Sequence, residues 1–345
     1  MKASRNRKQF TNTATGDDVV SVPYTSDGYG GLVTIGLGSP ATEYSITLDP
    51  GSSNTWVGAR EKYIESSTSE DTGSRVSVAY GSGEFFGIEY NDLLTLNGIT
   101  VNQSVGAATR SQGIESDGVL GIGPTALTQG TLSPNTGDEV PTITDNLFLQ
   151  DFIGQRITTI TGEQLMFGPP PEEYSDAIYT PITTQAPASS FWGIDVSFAY
   201  GAEELSTTQS GIVDHGATLT HLPTSVFDKL LKATGATIDG ETTLPVTDSC
   251  DGLDPLVLML GSDNITVPVE NYRWKIDVPE NRCYLAFADA GKMTKKRGAG
   301  PGNKFQPSSY RASVDGDVDF ILGFSMLRNY GVVLDGEQNR VGFKG

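Results

Sequence analysis

Two segments in opposite halves of the chain repeat one design: LDPGSSNTWVG, headed by Asp49, and IVDHGATLTHLP, headed by Asp214. Each sets a carboxylate after an apolar run of strand-forming residues and before glycine and small hydroxyl residues. A chain patterned in this way is expected to fold as two similar halves that aim their aspartates at one point. The repeat goes further, since VLGIG at 119–123 and ILGFS at 321–325 each combine two apolar residues with glycine after an aspartate-rich turn. In both halves the aspartate segment comes first and the apolar-apolar-glycine segment second.

Between these landmarks the chain is made of short alternating runs broken by Gly, Asn, Asp or Ser, a pattern of antiparallel strands and hairpins. GLVTIGLG, YSITLD, SVAYGSGEFFGIEY, LLTLNGITV and RVGFKG all follow it. Helical signals are few. TSVFDKLLKATG offers Thr224 as a cap, Val226, Leu230 and Leu231 on one face and Gly235 as the stop, and a shorter helix is expected near Ser325. An all-β fold follows. The small, polar, proline-containing TTQAPASS at 183–190 marks the boundary between halves, giving 19–186 and 187–345, with 1–18 as a tail. GKMTKKRGAGPGN at 291–303 is basic and glycine-rich and is expected to be a surface loop.

Charge narrows the function. Of 345 residues, 42 are acidic and 23 are Lys or Arg, and the resulting net charge of −19 repels phosphate backbones and anionic lipid. Nucleic acid and membrane surfaces are poor partners, and no stretch approaches the roughly 20 apolar residues needed to span a bilayer. Residues 1–18 carry Lys2, Arg5, Arg7 and Lys8 without the apolar core of an export signal. Two cysteines cannot form a four-cysteine zinc site. Cys250 and Cys283 are either a disulfide or two buried thiols, and the turn residues around Cys250 favour the disulfide. Asn102-Gln103-Ser104 and Asn264-Ile265-Thr266 read as glycan acceptors, which with the cysteine pair leans towards an oxidising, secretory setting.

Over nearly all of residues 20–345 the chain resembles the pepsin-like aspartic endopeptidases, and within them the secreted fungal polyporopepsin-like members. The resemblance rests on LDPGSSNTWVG, SVAYGSGEFFG, SDGVLGIGP, TLSPNTG, TDNLF, YTPIT, WGI, GIVDHGATLT and ILGFSMLRNYGVVLD. It implies a bilobal all-β fold with a cleft between lobes, one catalytic aspartate per lobe (Asp49 and Asp214), a secreted monomer, protein or peptide substrates, and inhibition by pepstatin-type compounds. It implies no cofactor and no metal. Two carboxylates held close in a partly dry site cannot both ionise, so they share a proton and titrate as a unit. The ionised member then takes a proton from an attacking water while the protonated one hydrogen-bonds the peptide carbonyl.

By the same resemblance, Ser52 supports Asp49 and Thr218 is its counterpart near Asp214. Gly51, Gly216 and Ala217 border the substrate, and AYGSGEF supplies a flap in which Tyr80, Gly81 and Ser82 close over it. Trp56 is the expected partner of the Tyr80 hydroxyl, and Phe85, Val119 and Leu120 are expected to line apolar side-chain pockets. The basic N-terminal tail is either a pro-segment remnant or an unstructured end.

The departures are specific. The family normally has threonine after each aspartate, and these threonines grip each other across the lobes; this chain has Pro50 and His215 there. Proline has neither hydroxyl nor N–H, so the reciprocal pair cannot form. A charged His215 near the dyad is expected to favour the doubly ionised state, shifting or depressing activity. Ala217 removes a further hydroxyl. A catalytically impaired, peptide-binding relative is therefore the alternative, and a β-rich inhibitor or sugar-binding module a weaker third. His221 is expected on the surface or in a strand, without chemical duty. No GxSxG elbow precedes either histidine, which leaves little room for Ser-His-Asp catalysis.

Overall fold

The computed structural model describes residues 18–81, 83–292 and 318–345. The tail up to residue 17, flap residue Ser82 and the basic loop from residue 293 onwards lie outside the described residues. The alternating runs form strands. Strand Gly31–Leu37 buries Val33, Ile35 and Leu37 on one face, and Thr42–Asp49 buries Tyr44, Ile46 and Leu48, the period-2 pattern that packs one side of a sheet on a core. Asn97 and Gly98, at φ 42° and 85°, make the two-residue turn that returns strand Glu84–Leu96 as Ile99–Gln112, so the Asn-Gly signal is met by a tight hairpin.

One sheet of fourteen strands runs through the first half, and a second of eight strands, with a small four-stranded sheet beside it, is built from the second half. The expected boundary falls between Ile178–Pro181, in the first sheet, and Gly193–Tyr200, in the second. Exchange between the halves is built in at the chain end. Strand Gly331–Asp335 pairs with Ile157–Ile160, and Arg340–Lys344 pairs with Ile178–Pro181, so the last strands close the first sheet. The main hydrophobic cluster is continuous across both halves, joining Ile46, Leu48 and Leu120 with Val213, Leu322 and Val332. At about 1.5–3 kcal/mol for each fully buried aliphatic side chain, the strand ends carrying the aspartates rest on a stiff support.

Helix Thr224–Thr234 buries Val226, Phe227 and Leu230 and stops at Gly235 in the left-handed conformation (φ 67°), as glycine permits. Thr224 does not cap it. Pro223 precedes the first turn, and the Thr224 hydroxyl donates to Asp289 instead (2.6 Å). The expected short helix is Phe324–Leu327. Helix Ile143–Leu149 escaped the periodicity reading because it is only two turns long; its signal is the capping box of Thr142 and Asp145. Cys250 and Cys283 are disulfide-bonded across a sequence separation of 33, tying a turn to strand Cys283–Leu285. Asn102 and Asn264 both lie exposed on strands.

Candidate active site

The two echoing segments become two equivalent strand pairs. Strand Thr42–Asp49 runs parallel to Gly118–Gly121, with Asp49 opposite Gly121; strand Gln209–Asp214 runs parallel to Ile321–Gly323, with Asp214 opposite Gly323. A third strand then pairs antiparallel with each glycine strand, setting Trp56 opposite Val119 and His221 opposite Ile321. Glycine is required where the loops cross. A Cβ on Gly121 would lie 2.6 Å from the Ser53 carbonyl carbon, and one on Gly323 would lie 2.2 Å from the Leu219 carbonyl oxygen. The loops are pinned by backbone bonds from Ile122 N to Asp49 O (3.0 Å) and from Phe324 N to Ala217 O (2.7 Å).

This geometry brings Asp49 and Asp214 into direct contact, carboxyl against carboxyl. Asp49 is buried and accepts hydrogen bonds from Gly51 N (2.9 Å) and Ser52 Oγ (2.5 Å). Asp214 is half-buried and accepts from Gly216 N (2.8 Å). The support is unequal. Among the described residues the Thr218 hydroxyl does not reach Asp214, contrary to expectation; Thr218 contributes its carbonyl to Ser325 N (3.0 Å). Burial, and then the adjacent Asp49 charge, hold the Asp214 carboxyl well above the usual carboxylate range. Burial raises Asp49 too, but the Ser52 and Gly51 donors work against it. Both shifts run upward, as expected of two adjacent carboxyls that do not ionise together.

The hairpin of Glu70–Ala79 and Glu84–Leu96 turns at Tyr80–Gly83, closed by Tyr80 N to Gly83 O (2.6 Å). Gly81 is exposed at its tip. Trp56 Nε1 donates to the Tyr80 hydroxyl at 2.7 Å, the expected pairing, and Phe85 stacks on Trp56 with ring centres 4.1 Å apart. Phe85, Val119 and Leu120 were expected to line substrate pockets. All three are instead fully buried, Phe85 and Val119 in the cluster around Trp56 and Leu120 in the main core, so they back the cleft wall without surfacing it. The recess beside Asp49 is walled by Val78, Leu127 and Phe191 above Gly51–Asn54. No role was read for these three side chains from sequence; the aromatic pair of SFWGI was the available signal, since Trp192 Nε1 also donates to the Ile122 carbonyl and ties the halves together (3.0 Å).

His215 differs most from expectation. It is 1% exposed, its ring meets Phe324 edge-on at 6.4 Å, and neither ring nitrogen has a hydrogen-bond partner among the described residues. Burial pushes its pKa from 6.5 down to about 3, so through most of the acidic range it is neutral and supplies no cation to the dyad. Pro50 is buried as well, its carbonyl 2.9 Å from the position of a Cβ on Gly123. His221 lies half-buried in strand Thr220–Leu222. A more open cavity of ≈ 470 Å³, bordered by Gln185, Asp195, Ser210 and Asp319, lies apart from the aspartates. Its Asp195 is already bonded by Thr183 and Ser210 (2.6 Å each).

The chain is similar to known proteins over almost its whole length. The model of the eukaryotic aspartyl protease family matches residues 29–344. Polyporopepsin of Irpex lacteus is 37% identical over 93% of this chain and 96% of its own. Rhizopuspepsin-1 of Rhizopus niveus is 30% identical over 82% of this chain and 77% of its own, and pepsin A of Callithrix jacchus 27% over 90% and 79%. The crystal structure of aspartic proteinase from Irpex lacteus superposes with a TM-score of 0.84 at 36% identity, covering 94% of this chain and 97% of that one. With two facing aspartate loops, a hairpin flap and a family match over almost its whole length, the chain belongs to the pepsin-like eukaryotic aspartyl proteases, a family of aspartic endopeptidases.

Proposed function

We propose that Asp49 and Asp214 hydrolyse peptide bonds at acidic pH by activating a water held between them. The observation that carries this reading is the unequal support of two touching carboxyls. Asp49, with two donors of its own, is the ionised partner and accepts the proton of the attacking water; Asp214, whose charge is penalised by burial and by Asp49, donates its proton to the peptide carbonyl oxygen as charge develops there. The protons have then exchanged places. Collapse of the gem-diol returns a proton to the departing amine and restores the pair. Tyr80, held by Trp56, closes over the substrate and excludes water, which strengthens every interaction within. Gly51, Gly216, Ala217 and Thr218 border the substrate backbone, and the likeness to the pepsin-like proteases supports a preference for bulky apolar residues beside the scissile bond.

The disulfide supports passage through an oxidising compartment, and we read the enzyme as secreted. A second reading, a peptide-binding relative of low activity, is favoured by one observation: Pro50 offers no N–H and His215 finds no partner for its ring, so the cross-loop grip of the family is missing. Incubation with denatured protein at acidic pH, with and without a pepstatin-type inhibitor, separates the two. Cleavage that the inhibitor and Asp214→Asn both abolish supports the enzyme; inhibitor binding without cleavage supports the second reading.

A further inference from the structure

We infer that Tyr29 is a positioning residue for the aspartate pair: it clasps the turn Trp274–Asp277 across the divide between the halves and so fixes how closely Asp49 and Asp214 approach. The inference rests on that pair being the hydrolytic site. Two turns meet here, each held by its own side chains. In the first half, Ser26 Oγ accepts from Gly28 N (2.9 Å), and Asp27 Oδ1 accepts from Tyr29 N (2.8 Å) and Gly30 N (3.0 Å). In the second, the Trp274 indole donates to the Ile276 carbonyl (2.8 Å), and Asp277 follows in the left-handed region at φ 52°, which aspartate tolerates better than most residues. The Tyr29 hydroxyl donates to Asp277 Oδ2 (2.5 Å), and its ring meets that of Trp274 with centres 5.6 Å apart. A Cβ on Gly28 would lie 2.2 Å from Ile276 Cδ1, so the backbones of the two turns are also close.

Each turn is rooted beside one aspartate. Tyr29 lies two residues before strand Gly31–Leu37, in which Leu32 pairs with Thr47, two residues short of Asp49. Trp274 belongs to a cluster with Leu244, Val246, Tyr284 and Ala286 that also seats Leu219, from the loop after Asp214, and the Ala286 carbonyl accepts from Thr220 N (3.1 Å). Between these roots, a Cβ on Gly30 would lie 4.0 Å from the His215 carbonyl oxygen, so the segment carrying Tyr29 borders the second aspartate loop itself. Tyr29 is 42% exposed and adds little to the core; its contacts are directed across the divide. Pro50, with neither hydroxyl nor N–H, leaves that divide without a grip between the aspartate loops at this position. The clasp supplies one at their edge.

Kinetics against pH test it. In Tyr29→Ala, kcat is expected to fall about tenfold with KM within about twofold, since a displaced pair reacts more slowly while substrate still binds. The pH range of kcat/KM is expected to narrow by about half a pH unit, because carboxyls about 1 Å further apart repel less and their two apparent pKa values draw together. Tyr29→Phe, which keeps the ring contact, is expected to lose about twofold. Asp277→Asn still accepts from the hydroxyl and tolerates left-handed backbone, and is expected to keep kcat within about twofold. An unchanged kcat in Tyr29→Ala overturns the inference, and so does a lower kcat at an unchanged pH range, which marks a merely structural contact. Should the parent cleave nothing but bind a pepstatin-type inhibitor, the hydrolytic reading fails. The pH range of inhibitor binding then reads the same carboxyl spacing, and a range identical in parent and Tyr29→Ala overturns the inference separately. A parent that neither cleaves nor binds sinks both.

Discussion

Gly51 of the first aspartate loop lies so close to Asp214 of the second that a Cβ added to it would sit 2.6 Å from Oδ2, and a Cβ on Gly216 would sit 2.5 Å from Asp49 Oδ1. Each loop thus leaves room for the other's carboxylate by lacking a side chain. Gly51→Ala and Gly216→Ala are expected to push the carboxyls apart by about 1 Å and lower kcat on the order of a hundredfold or more, with the fold retained. Activity assays beside circular dichroism check this, and full activity in either variant would show that the carboxyl contact is not needed.

The Tyr80 hydroxyl of the flap accepts a hydrogen bond from Trp56, which is itself seated on an apolar stack. Trp56→Phe keeps the packing on Phe85 but removes the indole N–H that the Tyr80 hydroxyl accepts. A hydrogen bond of about 1 kcal/mol corresponds to about a fivefold loss in kcat/KM. Tyr80→Phe is expected to cost the same, and the double variant no more than either alone, because the two act through one bond. Additive losses would show that each residue has a separate role.

Much of this fold was legible because β patterning is local: Asn97-Gly98 dictates a tight hairpin and Gly235 a helix stop wherever the chain places them. The aspartates were legible for a different reason, the echo of two short segments ending equivalent strands. What stayed hidden depends on three-dimensional crossing. Whether Thr218 would reach Asp214 as Ser52 reaches Asp49 turns on an ångström of loop path, and whether Phe85 or Leu120 surfaces in a pocket turns on what packs above it. His215 shows the limit most clearly. Sequence says only what a charged ring there would do; burial decides whether it is charged, and burial is set by the surrounding packing.

The disulfide closes a loop of 33 residues in the second half. Loop-closure entropy for that length contributes about 3–4 kcal/mol by restricting the unfolded chain. Cys250→Ala/Cys283→Ala is expected to lower the free energy of unfolding by that amount, and with it the denaturation midpoint, while leaving the dyad's kcat nearly unchanged, since the staple lies outside both aspartate loops. An unchanged midpoint would mean that the unfolded state is already compact around this loop.

Glu89 is buried in the flap's second strand, with Oε1 accepting from Ser104 Oγ at 2.5 Å and Oε2 without a partner. Burial raises its pKa from 4.5 to about 7. The folded state therefore binds a proton between pH 4.5 and 7 that the unfolded state has released, so stability falls as pH rises through this window, by about 3 kcal/mol in full. His215 acts in the opposite sense. Its depressed pKa means that the unfolded chain binds the extra proton, and stability falls as pH drops from 6.5 towards 3. Taken together, these two groups favour the folded state in mildly acidic solution. Denaturant titrations at pH 5 and pH 8 in an Asp214→Asn background, which prevents self-digestion, isolate the Glu89 contribution. Glu89→Gln is expected to cut the stability lost between those pH values by about 3 kcal/mol, even though an amide there costs some stability at every pH. An equal loss in parent and variant would mean that Glu89 ionises as freely folded as unfolded.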